Sequence, residues 1–277
     1  MSDQTNLSSD RLGKLLGSRI YDCNAAAITL RSDLSQLPKL NKLVDNRQKL
    51  FGVLCLLSFL SLLAALSKGS FVVAAGLAFV FFVSQWVRWL GKSLANERFM
   101  LAERLLELFG RDMIADGLLH LRLAFDKITA SNNKVKTRRH DRNRFESTWL
   151  VLSGRYADGS KFSLQVTEIF EIKRRKNKQK PKGYVVKLTL AFSKKKYGDL
   201  QFNHSALTRK IKVQASASLK SAKAKGNVLS ITAKRPEILS LKASAISEEL
   251  CLLVKFLLLS SYEILNSEMK RINPAAS

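Results

Sequence analysis

Hydrophobic and polar positions change their period along this chain. From Leu50 to Leu90 there is no polar stripe at all: Lys68 and Arg88 are the only charges, and no acid appears before Glu97. As one helix this stretch would be about 60 Å long, about twice the hydrocarbon thickness of a bilayer. Ser67-Lys68-Gly69-Ser70 divides it, since Gly accepts positive φ and the serines can bond freed backbone groups. The pattern predicts a two-helix transmembrane hairpin, 50–66 and 71–90, with a turn at 67–70.

On either side the spacing is helical. Leu12–Leu34 fits a helix that Pro38 should end or interrupt, within an N-terminal helical segment 1–49. Residues 101, 105, 108, 109, 114, 118, 121 and 125 are apolar, which predicts an amphipathic helical stalk over 91–130 with His120 as a structural histidine on its stripe. Ser131–Arg144 is polar and charged enough to read as a mobile basic linker, 131–145.

Beyond it the period falls to two. Thr148–Tyr156 and Lys161–Ile172 form a hairpin about Asp158-Gly159. Phe162, Leu164, Val166, Phe170 and Ile172 share one face of the second arm, interrupted by Glu168. That carboxylate calls for a buried Arg or Lys partner, or for a slip in register. Further strands are expected at Val186–Phe192, Ile211–Ala217 and Val228–Ala233. The closing helix, Ala243–Lys270, contains an apolar run too short and too interrupted by Lys255 to span a bilayer. It is expected to cover one face of the sheet. The fold class is thus a membrane α-helical hairpin with a cytosolic α+β domain, 146–277, whose antiparallel sheet of about four to five strands is packed by a C-terminal helix.

Charge sharpens this picture. The 277 residues include 47 Lys+Arg and 22 Asp+Glu, a net charge of +25, and the segment 131–235 holds 27 of the cations against six acids. Such a segment attracts anionic surfaces. The candidate anion- or partner-binding residues are Lys173, Arg174, Arg175, Lys176, Lys178, Lys180, Lys182, Lys194, Lys195 and Lys196. Lys39, Lys42, Arg47 and Lys49 precede the apolar run, and Arg88, Lys92, Arg98 and Arg104 follow it, so the positive-inside rule places both termini in the cytoplasm of a two-pass protein. Trp86, Arg88, Trp89 and Lys92 form the expected membrane-interface belt.

The chemistry-bearing residues are sparse. Cys23, Cys55 and Cys251 have no paired spacing and read as buried reduced thiols. His120, His140 and His204 are the only histidines, and no nucleophile, phosphate-loop or metal-site motif is present. No enzyme activity, cofactor or metal is expected. The expected role is a non-enzymatic membrane-anchored scaffold or accessory subunit whose basic domain binds anionic lipid headgroups or an acidic partner protein. The rival class is an oligomeric pore-forming or signalling effector with a cytosolic sensor domain, for which Ser58, Ser61, Ser67, Ser84 and Gln85 are the available polar residues. A membrane-tethered nucleic-acid binder is a third, although Trp149, Tyr156, Tyr184 and Tyr197 make no stacking signature.

Overall fold

The computed structural model describes residues 15, 18–68, 72–89, 96–113, 117–125, 134–137, 142–173, 179–202, 204–236 and 243–272. The chain divides into two units. One is Leu34–Ala95; the other combines Met1–Asp33 with Asn96–Ser277.

In the first unit, helix α1 (Ala27–Lys68) is followed by helix α2 (Val72–Trp89). They run antiparallel in register. A side chain at Gly52 would meet the Trp86 indole at 3.4 Å, Phe59 lies 5.6 Å from Phe79, and a side chain at Gly76 would touch Leu62. In α1 beyond Leu50 and in α2, apolar side chains are exposed, among them Leu56, Leu60, Leu63, Leu77, Val80 and Phe81. The break between Lys68 and Val72 falls at the expected turn, of which residues 69–70 lie outside the described residues.

Pro38 does not end a helix. It lies inside α1, on an exposed position just after buried Leu34 and Leu37, so the helix begins far upstream of the apolar run. An interior proline costs about 3 kcal/mol, and the flanking buried leucines return an amount of that order.

By length and composition two helices can cross a membrane: Ala27–Ser67 and Ser244–Ile272. The apolar part of α2, Ala75–Val87, is shorter. Half of the apolar 18-residue window within Ser244–Ile272 is buried, against 11% of that within Ala27–Ser67, which marks the former as a core helix.

The second unit is built on an antiparallel sheet. Its strands are β1 (Ile20–Ala26), β2 (Leu118–Ala124), β3 (Lys134–Thr137), β4 (Arg142–Arg155), β5 (Lys161–Lys173), β6 (Gln179–Ala191), β7 (Ser218–Lys225) and β8 (Val228–Arg235). The order is β1-β2-β4-β5-β6-β8-β7, with β3 paired to β4 off this path. Helix α3 (Asn96–Gly110) and the long C-terminal helix (Ala243–Ile272) pack on each other and on one face. Short helices α4 (Lys194–Tyr197) and α5 (His204–Lys210) connect β6 to β7, making the C-terminal helix α6.

Four expectations change. Leu12–Leu34 is not one helix: Tyr21, Cys23 and Ala25 are buried while Asp22 and Asn24 are exposed, the period of a strand, and β1 pairs with β2. The stalk is helical only to Gly110. Beyond it Leu119, Leu121 and Leu123 are buried in alternation, so β2 joins the sheet and His120 lies on its opposite face, bonded to Asp22 Oδ1 at 2.8 Å. The basic linker contains β3, which pairs with residues 143–145 of β4. No strand forms at Ile211–Ala217, because Ser260 of α6 satisfies both the N–H and the C=O of Lys212 and so replaces a ladder there. The sheet consequently has eight strands rather than four or five. The hairpin about Gly159 (φ 82°), the strand through Val186–Leu190 and the strand from Val228 are as expected.

Glu168 has the buried partner its position demands. Arg98 of α3 reaches it at 3.1 Å, caps the Ala124 carbonyl and lies over the Trp149 ring. Both side chains are at most one-fifth exposed, so removing one leaves an uncompensated charge. Glu168→Ala is expected to destabilise the unit by about 3 kcal/mol, and the double change Glu168→Leu with Arg98→Met to recover most of that loss. Denaturant melts of the three chains measure both effects.

Candidate anion-binding surfaces

The ten cations singled out from the sequence do not form one patch. Lys173, Lys180 and Lys182 lie at one end of the sheet; Arg174, Arg175, Lys176 and Lys178 are outside the described residues. Lys194, Lys195 and Lys196 sit on α4, beyond the far end of β6 and about 40 Å of extended chain away.

At the first end the ladder joins two basic runs that are distant in sequence. Arg142 pairs with Lys173, and the row Lys136, Arg144, Glu171, Lys180 crosses β3, β4, β5 and β6. Glu146 takes Arg144 at 2.8 Å and Glu171 takes Lys182 at 3.2 Å. Facing like charges are unfavourable by about 0.2–1 kcal/mol per pair, so this basic end gains from any anion that bridges them.

The far end is organised differently. Asp158 in the hairpin turn accepts from the Ser160 N–H at 2.8 Å and from the Tyr197 hydroxyl at 2.7 Å, tying α4 to the turn. Burial acts to raise its carboxyl, but these hydrogen bonds and nearby Lys196 outweigh it and hold Asp158 below the usual carboxylate range. Burial, then Asp158, pushes the Tyr197 phenol up, and burial followed by the charge of Asp158 pushes Tyr262 up to about 12. Both phenols therefore stay protonated, and Tyr197 donates to Asp158. Lys194 is occupied by Asp199 at 2.7 Å, and Lys196 lies over the Tyr197 ring. This end is knit together by its own charges.

A third surface follows from the period of two. The face away from α3 and α6 carries Arg122, Arg155, Lys161, Lys187, Lys223, Lys225 and Lys234, with Asp22 as the acid at its margin. Only Arg122 among these seven has an acid within reach among the described residues, Asp22 at 4.0 Å. Register aligns Asn24, His120, Ser153, Ser163, Thr189 and Ser230 in one uncharged polar lane across six strands, and the Thr189 and Ser230 hydroxyls meet at 3.2 Å. Arg155 and Lys161 flank it on one side, Arg122 and Lys187 on the other. Sequence reading missed these cations, since their strand positions look like ordinary solvated alternation until the pairing collects them.

In the other unit, Trp86 is partly exposed, while Arg88 and Trp89 lie in the last turn of α2 and Lys92 is outside the described residues. Ser58, Ser61, Ser67 and Ser84 each donate to the carbonyl three residues back, so these hydroxyls supply no argument for a hydrated lumen. His140 lies outside the described residues, and no cluster of three or more metal-ligating side chains occurs among the described ones.

A carboxyl held low stabilises the fold above its unfolded value and loses that contribution as pH falls. Asp158→Asn is expected to cost about 1 kcal/mol at neutral pH, with the difference from the unaltered chain shrinking below about pH 4. Melts at both pH values read it, and an undiminished gap in acid would assign the effect to shape rather than charge. No protein-family model, curated protein or solved structure matches this chain.

Proposed function

We propose that this chain is a two-pass membrane protein, anchored by the α1–α2 hairpin with both termini on the cytoplasmic side, that works without catalysis as a scaffold or accessory subunit. Its basic domain holds an anionic surface, either lipid headgroups or an acidic partner protein. The register that sets Lys136 beside Arg144 and Arg142 beside Lys173, with Glu146 and Glu171 already taken by Arg144 and Lys182, carries this reading. Two apolar helices in antiparallel register, with apolar side chains facing outward, support the anchor. Cations near an anionic leaflet each contribute about 1 kcal/mol.

The full chain in nanodiscs of neutral lipid is expected to be cut by trypsin at 173–182 faster than in discs containing phosphatidylserine, or in neutral discs supplied with an acidic polypeptide. Replacing Lys173, Lys180 and Lys182 by Ser removes that protection at the remaining cleavage sites. Equal cutting under all three conditions overturns the reading. In sealed vesicles, protease reaching the basic domain from the non-cytoplasmic side overturns the topology.

A further inference from the structure

We propose that the open face of the sheet binds an extended, Asp/Glu-rich segment of another protein, laid across the strands along the polar lane. This names the partner and a second contact surface within the anion-binding role proposed above, and rests on that reading. Among the described residues no element packs on this face. Its side chains between Asn24 and Ser230 are half-buried or exposed.

The chemistry selects the occupant. The lane spans five strand spacings, about 24 Å, which accommodates about seven extended residues. Its hydroxyl, amide and imidazole groups both donate and accept, as a peptide backbone does with its N–H and C=O groups. Phosphate oxygens only accept, so a DNA backbone would leave the accepting half of the lane unused. Arg155 and Lys161 lie about 13 Å from the Arg122 and Lys187 row. An extended chain sends successive side chains to opposite sides, so carboxylates at neighbouring positions reach both rows.

The remaining occupants fit less well. Among the described residues the face carries no Phe, Tyr or Trp on which bases could stack, and its one imidazole, His120, is bonded to Asp22. A second copy would oppose cations to cations. This chain itself has no run of more than two consecutive acids, so the segment comes from elsewhere.

The test uses the full chain in uncharged detergent micelles and a fluorescent peptide of Glu-Glu pairs separated by single Ser residues, about ten residues long to overfill the lane. Anisotropy measures its binding to the unaltered chain and three variants. Arg122→Ser, Lys161→Ser and Lys187→Ser together strip exposed cations from both rows. Lys173→Ser, Lys180→Ser and Lys182→Ser remove the same charge from the basic end. Ser163→Trp obstructs the lane without changing charge. The first and third are expected to weaken binding at least about tenfold, and the second to leave it within about twofold. Equal loss in the two triple variants, or full binding by the first or third, overturns the inference. So does a duplex DNA or a phosphatidylserine disc that outcompetes the peptide and loses its own binding in the first variant. Loss confined to the basic-end variant overturns this inference while sustaining the proposed function; no peptide binding by any chain overturns this inference and leaves only the lipid-headgroup arm of that function, which the nanodisc digestion decides.

Discussion

Strand pairing with a strict two-residue period is the constraint on which the soluble unit depends. In β4, β5 and β6 it sends Leu150, Leu152, Leu164, Val166, Val186 and Leu188 to the side covered by α3 and α6. Each of these side chains contributes about 1.5–3 kcal/mol by leaving water. A slip of one residue would expose all six and turn Lys187 and Gln165 into the core. Irregularities in pairing at Thr148/Leu150 and Ile169/Phe170 shift the phase locally, so Trp149 as well as Leu150 is buried, and Ile169 as well as Phe170.

Charge is handled in two ways under that constraint. Where a cation is buried it has a carboxylate and a helix to hold: Arg98 binds Glu168, and Arg235, 1% exposed on β8, binds Glu249 of α6. Burial pulls the Arg235 guanidinium below its usual range despite the opposing charge interaction with Tyr184, and its contact is the Glu249 carboxylate. These pairs fix how the helices lie on the sheet. On the open face and at the basic end the cations outnumber their acids, and the repulsion that remains there opposes compaction. An anion binding to either surface relieves it, which is the physical basis of the proposed role.

The hairpin unit obeys a different rule. No water-facing stripe is present on α1 beyond Leu50 or on α2, and the serine hydroxyls return to their own helices. Backbone groups inside each helix are paired within it, as the membrane anchor proposed above would require. Residues such as Gly52 and Gly76 let the pair approach closely without any polar bridge.

Composition and periodicity alone determined the apolar hairpin, the strands around Asp158-Gly159, the partner that Glu168 needs and the concentration of charge after Ser131. Each of these is a local property: a run, an alternation or an interruption. Tertiary structure decided what depends on neighbours distant in the chain. Seven-residue alternations at 20–26 and 118–124 are too short to be told from helical spacing until they pair with each other, and Ile211–Ala217 alternates yet makes no strand because Ser260 reaches its backbone first. The lane and its flanking cations exist only once six strands are aligned, since no sequence spacing relates Asn24, His120, Ser163 and Ser230; hydrogen-bond register alone makes them neighbours.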